Sequence, residues 1–455
     1  MIIKGGLDMF KRKFLAILAV TTMVMGSLSG CTSADKGEAN NDNNTTGGDG
    51  VQTSDKGNDS EDEKIVLTLL SSIQTEESAE LEQSFADAYM EQNENIEIEF
   101  IPCASNEVNK TVIQLATAKD LPDAFIMVND FVPTAEDMGL IVDHTELLGQ
   151  EYIDGLIPSI YNETKTVNGK MGYAPWFAVP SALIYRTDWL ETAEMDTIET
   201  MDDMREAALK FTTDDVWGFS MVGTNNGSGT SRFLQYSRSF GVREVYEEDG
   251  VWKSDLTSDK YKAALQSYVE LATKHKVVPP GAAEAGYPEA SNYFAQGKTG
   301  MMITGSNAIG VILETNPDLQ GKIGCVPIPK QEQHVSSING MGYAITTQCE
   351  HPEEMADFLK FMTSTENAVA WTAATGRLPV TQEATEAPEL QDPAYQGFFD
   401  SMQYAISTPQ FEGYQELNDV IGESYNSMLG GSVSIDDAMA RVTTRVEEIL
   451  GKYNK

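Results

Sequence analysis

The stretch IVLTLLSSIQTEESAELEQSFADAYMEQNENIEIEF, residues 65–100, decides the fold. Its first six residues are apolar except for Thr68, which reads as a buried strand. After the Ser-Ser-Ile-Gln loop, the spacing by four of Leu81, Phe85 and Tyr89 predicts an amphipathic helix over 76–93, with acidic residues in its first turn. Ile96, Ile98 and Phe100 then alternate with Glu97 and Glu99, the period of a strand. A helix over 111–119 and an apolar run over 123–128 complete the order strand, helix, strand, helix, strand. That order implies parallel pairing through crossover helices, and such sheets bind ligands beyond the carboxyl ends of their strands. Here those ends are residues 71–74 and 129–130.

The pattern continues to the end of the chain. Residues 171–185 are dense in aromatics and prolines and lead to a helix over 201–211, and Asp249-Gly250 sits between Tyr246 and Trp252 as a hairpin turn. A helix is predicted over 258–275, short strands over 299–304, 324–329 and 342–346, and helices over 352–363, 366–374 and 435–453. Ser434 and Asp437 form a capping box before the last of these. At about 100 to 200 residues per domain, the body from residue 65 onward is long enough for two α/β lobes.

Upstream, Lys11, Arg12 and Lys13 precede an apolar run over 14–25, the order of a secretory signal. The run is shorter than the roughly 20 apolar residues a membrane span needs. Leu28-Ser29-Gly30-Cys31 resembles a bacterial lipobox, which implies cleavage before Cys31 and a diacylglycerol on its thiol. Two acyl chains suffice for lasting attachment to a membrane. Residues 32–64 carry hardly an apolar side chain, so they cannot offset their ordering entropy and are expected to act as an acidic tether.

The formal charge is -39, and loss of residues 1–30, with four cations and one anion, takes it to -42. Such acidity argues against nucleic acid and anionic lipid, whose binding depends on Lys and Arg. Beyond Cys31, Cys103, Cys325 and Cys349 are scattered, as are the four histidines, so neither a disulfide framework, a metal site nor a Ser-His or Cys-His catalytic set has support. QGKTG at 296–300 lacks the first glycine of a P-loop, since Asn292 stands in its place.

Five segments, LPDAFIMVND (121–130), YAPWFAVPSALIYRTDWL (173–190), YFAQGKTGMMITGSNAIG (293–310), IGCVPIPK with SSINGMGYAI (323–345) and HPEEMADFLKFMTSTENAVAWTAATGRLPV (351–380), resemble in that order the signatures of family 1 extracellular solute-binding proteins, the sugar-type receptors of ABC importers. The resemblance implies a periplasmic-binding-protein-like (type II) α/β fold: two lobes joined by a multi-segment hinge, with the ligand cleft between them. The expected divisions are signal 1–30, lipidated tether 31–64, first lobe 65–177, second lobe 178–304, a return to the first lobe at 305–348, and helices closing the second lobe at 349–455.

Carried onto this sequence, the family's ligand positions fall on Ser72 and Gln74 after the first strand, and on Asn129 and Asp130 after the third. They also fall on Trp176 in the first crossing, on Ser231 and Arg232 in the loop GTNNGSGTSRF, and on Asn307, Gly340, Arg377 and Tyr414. Trp371, at helical spacing with its neighbours, is assigned to the core. A pyranose offers an apolar face for an aromatic ring and a rim of hydroxyls for planar partners such as Asp, Asn and Arg. The first loop lacks an aromatic and Asn307 replaces a tryptophan common in the family, so a polar cleft or a smaller ligand is expected. The resemblance further implies a carbohydrate ligand, a transmembrane permease partner, no cofactor, no catalysis and a monomer held at the outer face of the cell membrane through Cys31. A receptor for a peptide or polyamine, a signalling receptor and a surface glycoside hydrolase are the rival classes.

Overall fold

The computed structural model describes residues 64–73 and 75–454. Cys31, the expected signal, nearly all of the expected tether and Gln74 lie outside the described residues. No helix among the described residues is long and apolar enough to cross a membrane.

Strand β1 (Ile65–Ile73) leads to helix α1 (Glu76–Gln92), which opens on a capping box: Thr75 Oγ1 accepts from the Ser78 amide at 3.1 Å, and Ser78 Oγ accepts from the Thr75 amide. β2 (Ile96–Ala104), α2 (Val108–Ala118) and β3 (Ala124–Val128) follow, with Lys119 in the left-handed region ending α2. Short helical turns fill the way to Pro158–Glu163, before β4 (Ala174–Phe177) and β5 (Ser181–Arg186). Counting helices of eight or more residues, α3 (Met201–Phe211) and α4 (Gly227–Ser239) come next, then the hairpin of β6 (Tyr246–Glu248) and β7 (Val251–Lys253). Asp249 and Gly250 both have positive φ, 55° and 76°, as a two-residue turn matched to strand twist requires. α5 (Asp259–Thr273), α6 (Tyr287–Ala295), β8 (Met301–Gly305), α7 (Ala308–Thr315), β9 (Ile323–Val326) and β10 (Met341–Ile345) lead to α8 (Pro352–Met362) and α9 (Thr365–Thr375). The chain closes with α10 (Pro393–Met402), α11 (Tyr414–Leu429) and α12 (Ile435–Tyr453), the last capped by Ser434 on the Asp437 amide.

The first sheet has the order β2-β1-β3-β10-β4. β1 is parallel to both β2 and β3, as strand–helix alternation predicts, whereas β10 runs antiparallel between β3 and β4. The second sheet, β8-β5-β9, is antiparallel throughout. The alternation of strands and helices identifies elements but not the direction in which a long connection returns one of them.

Alternation along the second sheet divides its faces. Leu183, Met301 and Ile303 join the core with Phe233, Tyr261, Tyr268 and Tyr425, while Ala182, Ile184 and Met302 join the core that extends to Phe398 and through the first sheet. Helices α8 and α9 pack on the first-sheet side: Phe358 meets Tyr89 at 5.2 Å between ring centres, and Trp371 meets Phe85 at 6.4 Å. Helices α11 and α12 pack with α4 and α5, where Phe233 meets Tyr425 at 5.1 Å. These contacts correct two expected divisions. Residues 349–455 are shared between the lobes, and within 305–348 only β10 joins the first sheet, β9 being paired with β5. Apolar periodicity buried each element without naming the layer that receives it.

Three crossings bind one another where the chain passes between the sheets. Ala178 and Leu378 exchange both backbone hydrogen bonds, the Val179 amide donates to the Ile338 carbonyl at 2.9 Å, and the Ser181 and Ser337 hydroxyls meet at 2.7 Å. The Ser336 hydroxyl donates to the Ser181 carbonyl at 2.8 Å. Serines satisfy backbone groups here in place of a continuous ladder.

Candidate functional site

A cavity of about 740 Å³ opens beside these crossings, which form its back through residues 337–341. One wall is the carboxyl end of β3, residues 128–130, together with Glu163. The other is one side of α4, from Gly227 to Arg238, and the first turns of α11. The stretch 223–233, read from sequence as a loop, is in its second half the start of α4, with Asn226 Oδ1 accepting from the Gly229 amide at 3.1 Å. A Cβ on Gly229 would run into the Thr224 carbonyl and the Tyr425 hydroxyl, so this glycine, which suggested a loop, serves close packing of a helix.

On the first wall Asn129 is 6% exposed, and its Nδ2 donates to the Glu163 carbonyl, which leaves Oδ1 without a partner. Glu163 is 5% exposed and its Oε2 is likewise unpartnered. Burial raises the Glu163 pKa and the Asp130 charge adds to the rise, against a Ser407 hydrogen bond and the Arg238 charge that lower it. Asp130 is open to solvent on one side, yet crowding by the wall raises its pKa too, against a hydrogen bond from the Phe131 amide. On the second wall, burial disfavours the Arg238 charge and Glu244 more than restores it. The guanidinium holds that carboxylate through two nitrogens, Nε at 3.0 Å. The Tyr414 hydroxyl donates to the same carboxylate at 3.2 Å. Gln235, 3% exposed, and Asn418 each carry an unpartnered side-chain oxygen.

A buried polar atom without a partner is costly, by roughly 1–3 kcal/mol, unless something arrives to bond it. Four such atoms, three amide oxygens and one carboxylate oxygen, belong to residues that line this cavity, so what these side chains lack is a hydrogen-bond donor. Among the described residues no group of three or more His, Cys, Asp or Glu could hold a metal ion.

Of the positions expected from sequence, the cavity brings together Asn129, Asp130, Ser231, Gly340 and Tyr414. Ser72 lies within β1, which runs through Ile73, and is 8% exposed. Trp176 is not open to the cavity: it is 6% exposed, with its ring 4.3 Å from Trp371 and 5.6 Å from Tyr343. Arg377 covers the faces of Phe177 and Trp371 at 5.2 and 5.9 Å. Arg232 turns away from its neighbour Ser231, stacks over Tyr287 at 4.4 Å and donates to the Ile303 carbonyl. Asn307 precedes α7 without a side-chain capping bond and lies beside Gly376, outside the cavity. Trp371 is core, as its spacing predicts.

Glu163, Gln235, Arg238, Asn418 and Asp419 were missed. Ser231, Gln235 and Arg238 stand at i, i+4 and i+7, a polar stripe legible once 227–239 is read as a helix. No local pattern singles out Glu163, the last residue of a one-turn helix.

The family described as bacterial extracellular solute-binding protein matches residues 72–369. The diacetylchitobiose binding protein DasA of Streptomyces coelicolor is 21% identical over 384 residues, 81% of this chain and 82% of that protein. An arabinooligosaccharide-binding protein of Halalkalibacterium halodurans is 23% identical over 366 residues, 76% of this chain and 78% of its own. An ABC transporter solute binding protein of Thermotoga lettingae, solved with α-D-tagatose, superposes with a TM-score of 0.71 at 22% identity, covering 85% of this chain and 100% of the other. With two lobes, crossing segments bound to one another and a polar cavity beside them, the chain belongs to the bacterial extracellular solute-binding proteins.

Proposed function

We propose that this protein is an extracytoplasmic receptor that captures a mono- or oligosaccharide between its lobes and delivers it to the permease of an ABC importer. The observation that carries the reading is the cavity of about 740 Å³ whose walls come from both lobes and hold buried, unpartnered oxygens. A ring of hydroxyl donors would satisfy them. Asn129, Asp130, Ser231, Gly340 and Tyr414 are the proposed contacts already expected from the sequence, joined by Glu163, Gln235 and Asn418. Diacetylchitobiose, arabinooligosaccharide and tagatose are the solutes named for the similar proteins above, and they support carbohydrate as the class.

A ligand that touches both walls binds the closed arrangement better than the open one and shifts their populations by that difference. The permease would read the closed form, with ATP hydrolysed by a separate subunit. Attachment to the membrane through a lipid on Cys31, with residues 32–64 as tether and the receptor a monomer, belongs to the same proposal and rests on sequence. A thermal-shift screen of the protein against mono- and oligosaccharides tests it, with amino acids and polyamines as controls. A sugar at 100 times its Kd adds about 2.7 kcal/mol and raises the midpoint. A rise with polyamines or peptides alone would reject the sugar assignment, and turnover of a chromogenic glycoside would reject the receptor reading.

A further inference from the structure

The charges around the cavity are unequal. Asp130, Glu163 and Asp419 line it, against Arg238 alone among the described residues on the cationic side, and Arg238 is already held by Glu244. No lysine among the described residues lines it. The asymmetry is greatest on the first wall, where Asp130 and Glu163 line the cavity together with Asn129 and no cation among the described residues bonds either carboxylate directly.

A cluster of carboxylates by itself is only a solvated surface. Here two side chains more than nine-tenths buried add a second observation. One N–H of Asn129 Nδ2 on the Glu163 carbonyl fixes the orientation of the side chain and leaves its acceptor, Oδ1, without a partner. Glu163 Oε2 is a carboxylate oxygen with no donor on it. A neutral hydroxyl can give one hydrogen bond to such a pair, whereas a protonated amine gives three and neutralises charge. The second wall differs. The amides at the start of α4, where Asn226 and Gly227 line the cavity, favour acceptors on the ligand, and Asp419 Oδ1 accepts from Gln415 Nε2 at 3.1 Å.

We infer that the solute is a carbohydrate bearing a free, protonated amino group, held with the amine on Asp130, Glu163 and the Asn129 side-chain oxygen and its hydroxyl oxygens toward the start of α4. The inference rests on the reading of the cleft as a sugar site and narrows it to basic amino sugars. N-acetylation would destroy the recognised group, since an amide is neutral and donates once.

The test is isothermal titration of the full-length protein at about pH 6 with matched trios at mono- and disaccharide length. Glucosamine, N-acetylglucosamine and glucose form one set, with chitobiose, its N,N′-diacetyl form and cellobiose as another and the galacto series as a third. Putrescine and spermidine serve as non-sugar amines. The amine form should bind at least about tenfold more tightly than its acetylated and hydroxyl counterparts, as expected for one charge-assisted contact, and the advantage should shrink as salt is raised. Asp130→Asn, at a solvent-facing position, should reduce that ratio to less than about threefold with the fold checked by circular dichroism, and Glu163→Gln should do the same. Equal or tighter binding of a neutral sugar overturns the amine inference and leaves the sugar reading standing. Binding of the polyamines alone overturns both. Silence from every amine-bearing probe overturns the inference, and a ratio unmoved in both variants overturns the placement of the amine.

Discussion

Two buried glutamates on the first-lobe side are equally hidden and differently served. Glu82, 6% exposed, accepts from Ser71 Oγ at 2.7 Å and from the Tyr343 hydroxyl. Tyr343 lies against Trp176, which lies against Trp371, and Arg377 closes that stack from outside. Glu163, 5% exposed, has no donor on Oε2 and borders a cavity. In the first region rings cover rings away from the cavity, although the Trp176 and Trp371 indole nitrogens find no partner there either. The second adjoins a cavity, and that space is what separates the two: the tryptophan expected to stack on ligand lies in the first region, away from it.

The contrast can be broken most forcefully at Trp176. Trp176→Ala should lower stability by about 3–5 kcal/mol through the cavity it leaves, seen as an earlier denaturant midpoint. A variant of wild-type stability that had lost sugar binding would return Trp176 to the site.

Glu82 comes next. Burial raises its pKa from 4.5 to about 7, against the two hydroxyl bonds that lower it. Between those values the native state keeps a proton the unfolded state has released, so stability is full below about pH 4.5 and falls as pH rises toward 7. The fall amounts to roughly 3 kcal/mol at about 1.4 kcal/mol per pH unit, and Glu82→Gln should flatten it in unfolding curves taken across that range. Unchanged pH dependence in the variant would show that Glu82 is not the group responsible.

For the cleft the expected signs reverse. Asn129→Ala should weaken sugar binding by about 1–2 kcal/mol, roughly tenfold, by titration calorimetry. Glu163→Gln should leave the ligand-free protein as stable or slightly more stable, because it removes a buried carboxylate with an open valence. A loss of stability like that at Trp176 would mark Glu163 as structural.

The smallest effect separates Arg377 from the cleft. Arg377→Ala should cost about 0.5–1 kcal/mol of stability by loss of its contacts with Phe177 and Trp371, with sugar affinity unchanged. A tenfold loss of affinity would carry the ligand across to the aromatic side.

Much of the architecture was legible because it depends on local rules. The spacing of Leu81, Phe85 and Tyr89, the cap at Ser434 and the turn at Asp249-Gly250 each state their element within a few residues, and the structure forms all three. The start of α4 was hidden because Gly227 and Gly229 are poor helix formers and Asn226 reads equally as turn or cap. Within the candidate site, Asn129 and Asp130 were legible from their place at the end of a strand, a position that topology makes useful. Glu163 was not, because its importance comes from two neighbours, Asn129 and Asp130, more than thirty residues away.

By itself the sequence determined the strands and helices of residues 65–128 and the helices α3, α5, α8, α9 and α12, though not α4, α6, α7, α10 or α11; it also determined that β1 to β3 pair in parallel and that residues 72–369 carry the family pattern. It did so because side-chain periodicity and caps act over one or two turns. Only the tertiary structure decided that β10 returns antiparallel, that α8 and α9 cover the first sheet, and that Trp176 faces Trp371 while Asn129 faces the cavity. Those outcomes depend on which distant surface closes over each residue. An apolar ring or a polar oxygen carries no local mark of what it will meet.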